Sequence, residues 1–314
     1  MIKVVVTGSN GLLGQSLINL LLKEKEVYKV FGLSRGDNRS GRDDFSYISI
    51  DITNEKKLKK ILLETEPNVI INTAAMNQVD DCENNRQSCD LLNVSVVEWL
   101  GEISEKIEAH LIHLSTDFIF DGIKGNYKET DVPNPLSYYG VSKLKSEEVL
   151  INSKISYTIL RTILVFGKVY DMSRSNIVLW VKSMLEKGKE ITIVDDQFRS
   201  PTYVEDLALA CKIAMDKKAK GIFNISSNEL LSHSRYLRAG GLSVLCKANC
   251  LLTLPSKDVY LAAAVLFEVL TSSYFPNLIM VTITPDKKLI IVASIGSKGE
   301  LSSVTPIPDN TPAT

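Results

Sequence analysis

Short apolar runs alternate, over the first half of the chain, with stretches whose apolar positions recur at helical spacing. Residues 2–6, 28–33, 47–50, 69–72, 111–114 and 157–160 are apolar enough to be strands, while 17–22, 55–64, 86–108 and 142–152 carry the three-to-four-residue period of helices. Strand and helix in strict alternation predict an α/β protein. The expected fold is a Rossmann-like doubly wound parallel sheet with ligands at the carboxyl ends of its strands. Beyond Gly167 the rhythm loosens into a polar loop at 171–175, a helix at 176–187, a short strand at 191–194, a helix at 204–215 and a strand at 221–226. A smaller carboxyl-terminal substrate lobe is expected there. The predicted division is a dinucleotide-binding domain at 1–165, substrate-lobe elements at 166–231 and an atypical tail at 232–314.

Composition narrows the classes. With 314 residues and 45% hydrophobic content, the chain can bury a core large enough for a cofactor. Its formal charge of −1 argues against a general nucleic-acid binder, which needs a basic surface to neutralise phosphates. No apolar run reaches the roughly 20 residues of a membrane span, and the amino terminus enters a strand with no signal-peptide pattern. A cytoplasmic location is therefore expected. Cys82, Cys89, Cys211, Cys246 and Cys250 lack zinc-knuckle spacing and are expected as buried free thiols, with no metal site.

The first strand runs into Thr7-Gly8-Ser9-Asn10-Gly11-Leu12-Leu13-Gly14. Glycines there allow a tight turn and close approach of backbone to a pyrophosphate, and the helix amino terminus offers unpaired N–H groups to the anion. Gly8, Asn10, Gly11, Leu12 and Gly14 are the candidate cofactor contacts. About twenty residues later, where an NAD site would place an acid on the ribose, the second strand ends in Ser34-Arg35. A hydroxyl and a guanidinium, with Arg39 or Arg42 assisting, suit the 2′-phosphate of NADPH. Asp37 still has reach to the ribose, so NADH stays open. Asp51 and Ile52 end the third strand, from which a carboxylate can meet the adenine amino group. Ala74 and Ala75, after the fourth, leave room for the cofactor. Asp80 and Glu83 are expected as loop and helix-start carboxylates, Asn93 on the sheet-facing side of its helix, and Trp99 in the core.

Chemistry concentrates between Leu111 and Lys143. A strand delivers Ser115, Thr116 and Asp117 to its carboxyl end, and a helix then presents Tyr139 and Lys143 one turn apart on one face. An ammonium beside a phenol lowers the phenol pKa, which would suit Tyr139 to proton donation.

The segments TGSNGLLG, DIT at Asp51, INTAA, VDDCE, LSTDFIFDG, YYGVSK, LRT and DDQFRSPTYVEDLA, in this order over residues 1 to about 231, resemble the extended short-chain dehydrogenase/reductase superfamily. Within it the chain is most similar to the dTDP-4-dehydrorhamnose reductase family. The resemblance implies hydride transfer from NADPH to the 4-keto carbon of a nucleotide-linked deoxysugar. Tyr139 would then protonate the developing alkoxide, Lys143 hold the nicotinamide ribose and depress the Tyr139 pKa, and Thr116 hydrogen-bond the keto oxygen. Ser115 and Asp117 would position that strand end. Asn176, Gln197 and Arg199 are the substrate candidates, although Arg199 has Asp195 and Glu205 as alternative partners. Met76-Asn77 stands where such reductases often show a histidine, and Phe198-Arg199 where a glycine is more usual. An epimerase or dehydratase would share the cofactor turn and the Tyr/Lys pair, and the regulatory subunit of methionine adenosyltransferase also resembles this family. Dimerisation is left open.

The texture changes near Ser232. From there to Thr314 stand 7 Lys+Arg and 5 Asp+Glu in 83 residues, against 36 and 37 in the whole chain. The resemblance stops at the same place. An apolar run at 259–270, two β-rich runs at 278–284 and 288–294 split by Pro285-Asp286-Lys287, and a Pro-rich end predict a β-hairpin and a disordered terminus. A frameshifted, fused or substituted carboxyl terminus explains this tail better than ordinary divergence does, with a novel substrate lobe as the alternative.

Overall fold

The computed structural model describes residues 1–172, 175–192, 196–228, 230–232, 279–283 and 289–294. Seven strands form one parallel sheet: β1 (Ile2–Thr7), β2 (Tyr28–Ser34), β3 (Ser46–Ser49), β4 (Val69–Asn72), β5 (His110–Thr116), β6 (Tyr157–Thr162) and β7 (Gly221–Ile225). Their spatial order is β3-β2-β1-β4-β5-β6-β7. The direction of winding reverses between β1 and β4, which pair in parallel from Val4 with Val69 to Thr7 with Asn72. That switch point is where a doubly wound sheet opens a crevice for ligands.

The helices are α1 (Leu12–Leu21), α2 (Glu55–Thr65), α3 (Val79–Asn84), α4 (Arg86–Asp90), α5 (Val96–Lys106), α6 (Tyr138–Ile151), α7 (Ile177–Glu186) and α8 (Val204–Asp216). Both sheet faces are covered, so the central strands are apolar at consecutive positions rather than at alternate ones. In β1, Val4 and Val6 pack with Leu17, Leu21, Ala208 and Cys211 of α1 and α8. Val5 points the other way, into Leu58, Leu62, Val97 and Leu100 of α2 and α5. All three valines are fully buried, each contributing roughly 1.5–3 kcal/mol.

Several expected boundaries move. The periodic stretch 86–108 is not one α-helix: α4 and α5 are joined by a π-turn at Leu91–Ser95, and Glu108 lies beyond the end with φ +55°. Glu83 does not start a helix either. It sits in the last turn of α3, and its Oε1 accepts from Tyr138 N at 2.6 Å, at the start of α6. The helix expected to carry Tyr139 and Lys143 is α6, which begins at Tyr138, four residues before the periodic stretch 142–152. Ile191 and Thr192 are not strand, and 193–194 lie outside the described residues.

The expected division at residue 165 also changes. One compact unit holds Met1–Asn176 together with Arg199–Leu231. α8 and β7 therefore belong to the main unit, because β7 pairs with β6 and α8 covers α1. A second unit takes in Ile177–Phe198 and the described tail. Within that tail, β8 (Ile279–Ile283) and β9 (Leu289–Ser294) pair antiparallel. The apolar run 259–270, the Pro-rich end, Asp195, Cys246 and Cys250 lie outside the described residues. Cys82, Cys89 and Cys211 are buried free thiols. Among the described residues, no helix is long and apolar enough to cross a membrane.

One ion pair lies wholly inside the first unit. Arg161 on β6, 5% exposed, meets the fully buried Glu147 of α6 with Nη2 to Oε2 at 2.7 Å. Ser115 Oγ donates to Glu147 Oε1 at 2.5 Å, and Arg161 Nη1 donates to Glu129 O at 3.2 Å. Removing one partner strands the other charge in the core. Glu147→Ala is expected to cost about 3–5 kcal/mol in urea denaturation; a loss below about 1 kcal/mol would show that the pair is solvated.

Candidate active site

The turn after β1 is built by close approach. Gly8 has φ +66°, and a Cβ there would lie 2.9 Å from Ala74 N, at the end of β4. A Cβ on Gly14 would strike Gly8 O and Ser9, so α1 rests directly on the turn. Gly11 N donates to Gly8 O at 2.8 Å, and Gly11 caps α1 without any side-chain hydrogen bond to the helix N–H groups. Ser9 Oγ is buried without a protein partner. An open helix amino terminus, a turn lined by backbone and the small Ala74 and Ala75 fit a dinucleotide pyrophosphate.

The Asn10 side chain holds the loop beside the turn. Its Nδ2 donates to Arg35 O and Asp37 O at 3.1 and 2.8 Å, and its Oδ1 accepts from Arg39 N at 2.9 Å. The side chain is spent shaping the 35–39 loop. Of the three arginines expected near a 2′-phosphate, Arg39 is paired with Asp171 at 2.8 Å and Arg42 with Asp44 at 2.5 Å. Arg35 is exposed beside Ser34, and Asp51 is its Coulombic neighbour. Asp51 Oδ1 accepts from both the backbone and the hydroxyl of Thr53, at 3.0 and 2.7 Å, which holds its carboxyl below the ordinary range. Ile52, the next residue, is buried in the core. Leu12 opens α1 and packs at its start, half-buried.

α6 brings the reacting groups together. Ser137 Oγ accepts from Gly140 N at 3.2 Å to cap it, and a Cβ on Gly140 would collide with Phe118 O. The helix therefore lies tightly against the turn after Thr116. Tyr139 packs edge-on against Phe118, ring centres 5.6 Å apart, and the Thr116 hydroxyl reaches its phenol. Lys143, 1% exposed, turns under the sheet end, with Nζ 3.0 Å from His113 Nε2.

The Tyr139 phenol is not brought toward neutrality as expected: burial drives it well above its ordinary value, Thr116 opposes the rise, and Asp117, Cys82 and Cys89 add to it. Burial also pulls Lys143 down to about 8, against the opposing pull of Glu147 and Cys89.

Arg199 joins the site through Asp117, while Asp195, one of its expected partners, lies outside the described residues. Its Nη1 donates to Asp117 Oδ2 at 2.7 Å, and its guanidinium lies 4.9 Å from the Phe118 ring centre. Desolvation raises the Asp117 pKa, and Arg199 opposes that rise. Asn176 Nδ2 donates to Gly167 O at 2.6 Å. Gln197 is exposed and belongs to the second unit.

Three residues of the site carried no sequence signal of their role. Asn93, in the π-turn, accepts from Met76 N and donates to Met76 O and Ser142 Oγ, at 2.8, 2.9 and 2.9 Å, tying the loop after β4 to α6. Glu147 and His113 lie beneath the Tyr/Lys pair. Their only local hint was Glu147 falling four residues after Lys143.

A glycine turn at the β1/β4 switch point, with a strand-end Thr facing Tyr-x-x-x-Lys on the next helix, defines an extended short-chain dehydrogenase/reductase. The chain belongs to the RmlD substrate binding domain family, whose model matches residues 2–241. It is 36% identical to dTDP-4-dehydrorhamnose reductase of Aggregatibacter actinomycetemcomitans, covering 74% of this chain and 76% of that protein. It is also 31% identical to methionine adenosyltransferase 2 subunit beta of Xenopus tropicalis, covering 73% and 68%. Among solved structures, Bacillus anthracis dTDP-4-dehydrorhamnose reductase in complex with NADP superposes with a TM-score of 0.68 at 27% identity, covering 82% of this chain and 86% of that one.

Lys143 gives a test of the site's electrostatics. Its folded pKa, about 8, lies below the ordinary 10.5, so the folded state holds this proton less well than the unfolded chain. The penalty is full below about pH 8 and fades as pH rises toward 10.5. Lys143→Met is expected to stabilise the fold by ~3 kcal/mol at pH 7, with the gain shrinking above pH 8. Chemical denaturation across pH reads this, and a mutant no more stable at pH 7 than at pH 10 would refute it.

Proposed function

We propose that the chain is an NADPH-dependent oxidoreductase that reduces the 4-keto group of a nucleotide-linked deoxysugar, with dTDP-4-dehydrorhamnose to dTDP-rhamnose as the reaction. The observation that carries this reading is the meeting of the Thr116 and Tyr139 hydroxyls, with Lys143 one helical turn on, at the strand ends that also bear the glycine turn. The similarity to the reductases supports it.

Gly8, Gly11, Leu12, Gly14, Ala74 and Ala75 would hold the dinucleotide, Ser34 and Arg35 its 2′-phosphate, Asp51 and Ile52 its adenine end, and Lys143 its nicotinamide ribose. When bound, NADPH supplies the hydride. A phenol raised by burial stays protonated across the neutral range, so Tyr139 is a donor there and not a base. It would deliver its proton to the alkoxide forming at C4, while Thr116 donates a hydrogen bond to the same oxygen. Reduction then needs no metal. Asp117 is engaged by Arg199 at 2.7 Å, which argues against the free acid that a dehydratase would use. Arg199, Asn176 and Gln197 are proposed for the sugar nucleotide, and the enzyme is assigned to the cytoplasm.

A second reading is a non-catalytic NADP-binding regulatory subunit, favoured by the similarity to methionine adenosyltransferase 2 subunit beta. The retained Thr116, Tyr139 and Lys143 speak for an enzyme. The family match ends at residue 241, so the cofactor half is expected to bind NADPH while dTDP-4-dehydrorhamnose is turned over slowly, below the ordinary 1 to 10³ per second. NADPH absorbance followed with a panel of 4-keto nucleotide-sugars decides between the readings. Steady oxidation with one sugar names the substrate; NADPH binding with no oxidation by any of them supports the regulatory reading.

Two substitutions test the assignments. Tyr139→Phe is expected to lower turnover by ~10²- to 10⁴-fold at nearly unchanged NADPH affinity; near-normal turnover would remove Tyr139 from the chemistry. Arg35→Ala is expected to raise KM for NADPH and leave that for NADH unchanged, and equal effects on both would make Arg35 a surface charge only.

A further inference from the structure

A chain of buried polar groups runs beneath the site, and the proposed chemistry uses only its last member. Thr7, Asn72, His113, Ser146 and Lys143 are each at most 1% exposed. Thr7 Oγ1 donates to Asn72 Oδ1 at 2.6 Å, which turns the Asn72 amide nitrogen toward His113 Nδ1 at 3.1 Å. A donor facing Nδ1 requires a lone pair there, so the proton of the neutral ring sits on Nε2. Nε2 lies 3.0 Å from both Ser146 Oγ and Lys143 Nζ. Ser146 gives its own proton to Lys143 O at 2.6 Å, which leaves its oxygen able to accept from Nε2–H. Lys143 Nζ thus meets the protonated edge of the ring. An amine can accept there through its lone pair, whereas an ammonium has only donors.

We infer that Asn72 and His113 are positioning residues for Lys143: Asn72 fixes the imidazole tautomer, and the Nε2–H so fixed favours the neutral amine at its place beside β5. The ionisable groups around Lys143 are His113 on β5, Tyr139 and Glu147 on α6 itself, and Cys89 on α4; Glu147 is held by Arg161 of β6. Glu147 and Cys89 favour the ammonium, so burial and the Nε2–H edge are the opposing influences. His113 itself stays neutral, because burial and the neighbouring Lys143 both push its pKa well below the ordinary value. The term positioning residue rests on the reductase reading, in which Lys143 serves the cofactor; the tautomer and its effect on Lys143 do not.

The test is NMR on the full chain labelled with ¹⁵N-histidine and ¹³C,¹⁵N-lysine. His113 is assigned by elimination with His110→Gln and His233→Gln, and Lys143 by loss of its signal in Lys143→Met. The expected result is an unprotonated Nδ1 and a protonated Nε2 on His113 throughout pH 5.5–9. A protonated Nδ1, or a ring that titrates in that range, overturns the inference. In Asn72→Asp the carboxylate accepts from Nδ1–H, the ring proton moves there, and Nε2 offers its lone pair to the ammonium. The Lys143 midpoint is then expected to rise by about one pH unit or more. A shift of the ring proton without a rise in Lys143, or a rise with the proton still on Nε2, overturns it, the latter because the added charge alone would be acting. If Asn72→Asp does not fold, the wild-type tautomer still decides. Neither readout needs turnover: a chain that shows both results yet oxidises NADPH with no sugar sinks the reductase reading and leaves this inference standing.

Discussion

The constraint on which the rest depends is one stripe of α6 that carries three ionisable side chains, Lys143 and Glu147 buried and Tyr139 half-buried. Tyr139, Lys143 and Glu147 follow at intervals of one turn, and the residues between them on the buried side are Gly140, Ser142 and Ser146. Small residues let the helix backbone sit close to the strands; the polar ones must then be satisfied inside the protein, because an unpaired buried charge costs several kcal/mol. Each finds its partner on a neighbouring element: Thr116 for Tyr139, His113 for Lys143, Arg161 with Ser115 for Glu147. A slip of the helix by one residue would break all three at once. The positions of the phenol and the amine are therefore set by the same pairing that holds the helix on the sheet.

The glycine turn after β1 is set by steric rather than electrostatic means. Gly8 and Gly14 bring the turn, α1 and the end of β4 within contact of one another. Asn93 links the two halves. Because its helix widens into a π-turn at that point, its amide can reach both Met76 on the β4 loop and Ser142 on α6. Irregular helix geometry at such a junction is a common feature of functional sites.

The stripe also explains where reading by pattern worked and where it failed. Strands buried on both faces show as apolar runs, and all seven strands of the sheet fell within a residue or two of their expected places. α6 buries Ser, Lys and Glu instead of Leu and Val, so its apolar periodicity begins only at its second turn. The first turn, with Tyr139, is placed in the helix by the Tyr-x-x-x-Lys spacing and not by apolar period. The same inversion hid Glu147, which reads as an ordinary surface carboxylate. The domain boundary moved for a different reason. Whether 221–226 edges the main sheet or starts a lobe depends on which strand it pairs with, and pairing leaves no mark in a single strand.

By itself, the sequence determined what is encoded over short separations. The alternation of strands and helices, the glycine turn, the Thr116 strand end and the one-turn spacing of Tyr139 and Lys143 all depend on neighbours within a few residues, through backbone sterics and helical period. The tertiary structure alone decided which distant charges and donors meet: Arg161 with Glu147, Arg199 with Asp117, Asn72 with His113, Arg39 with Asp171. Each of these pairs was one of several partners of suitable charge or polarity. The choice among them is made by the register of strands and the seating of helices, which burial of the whole core sets and no local segment carries.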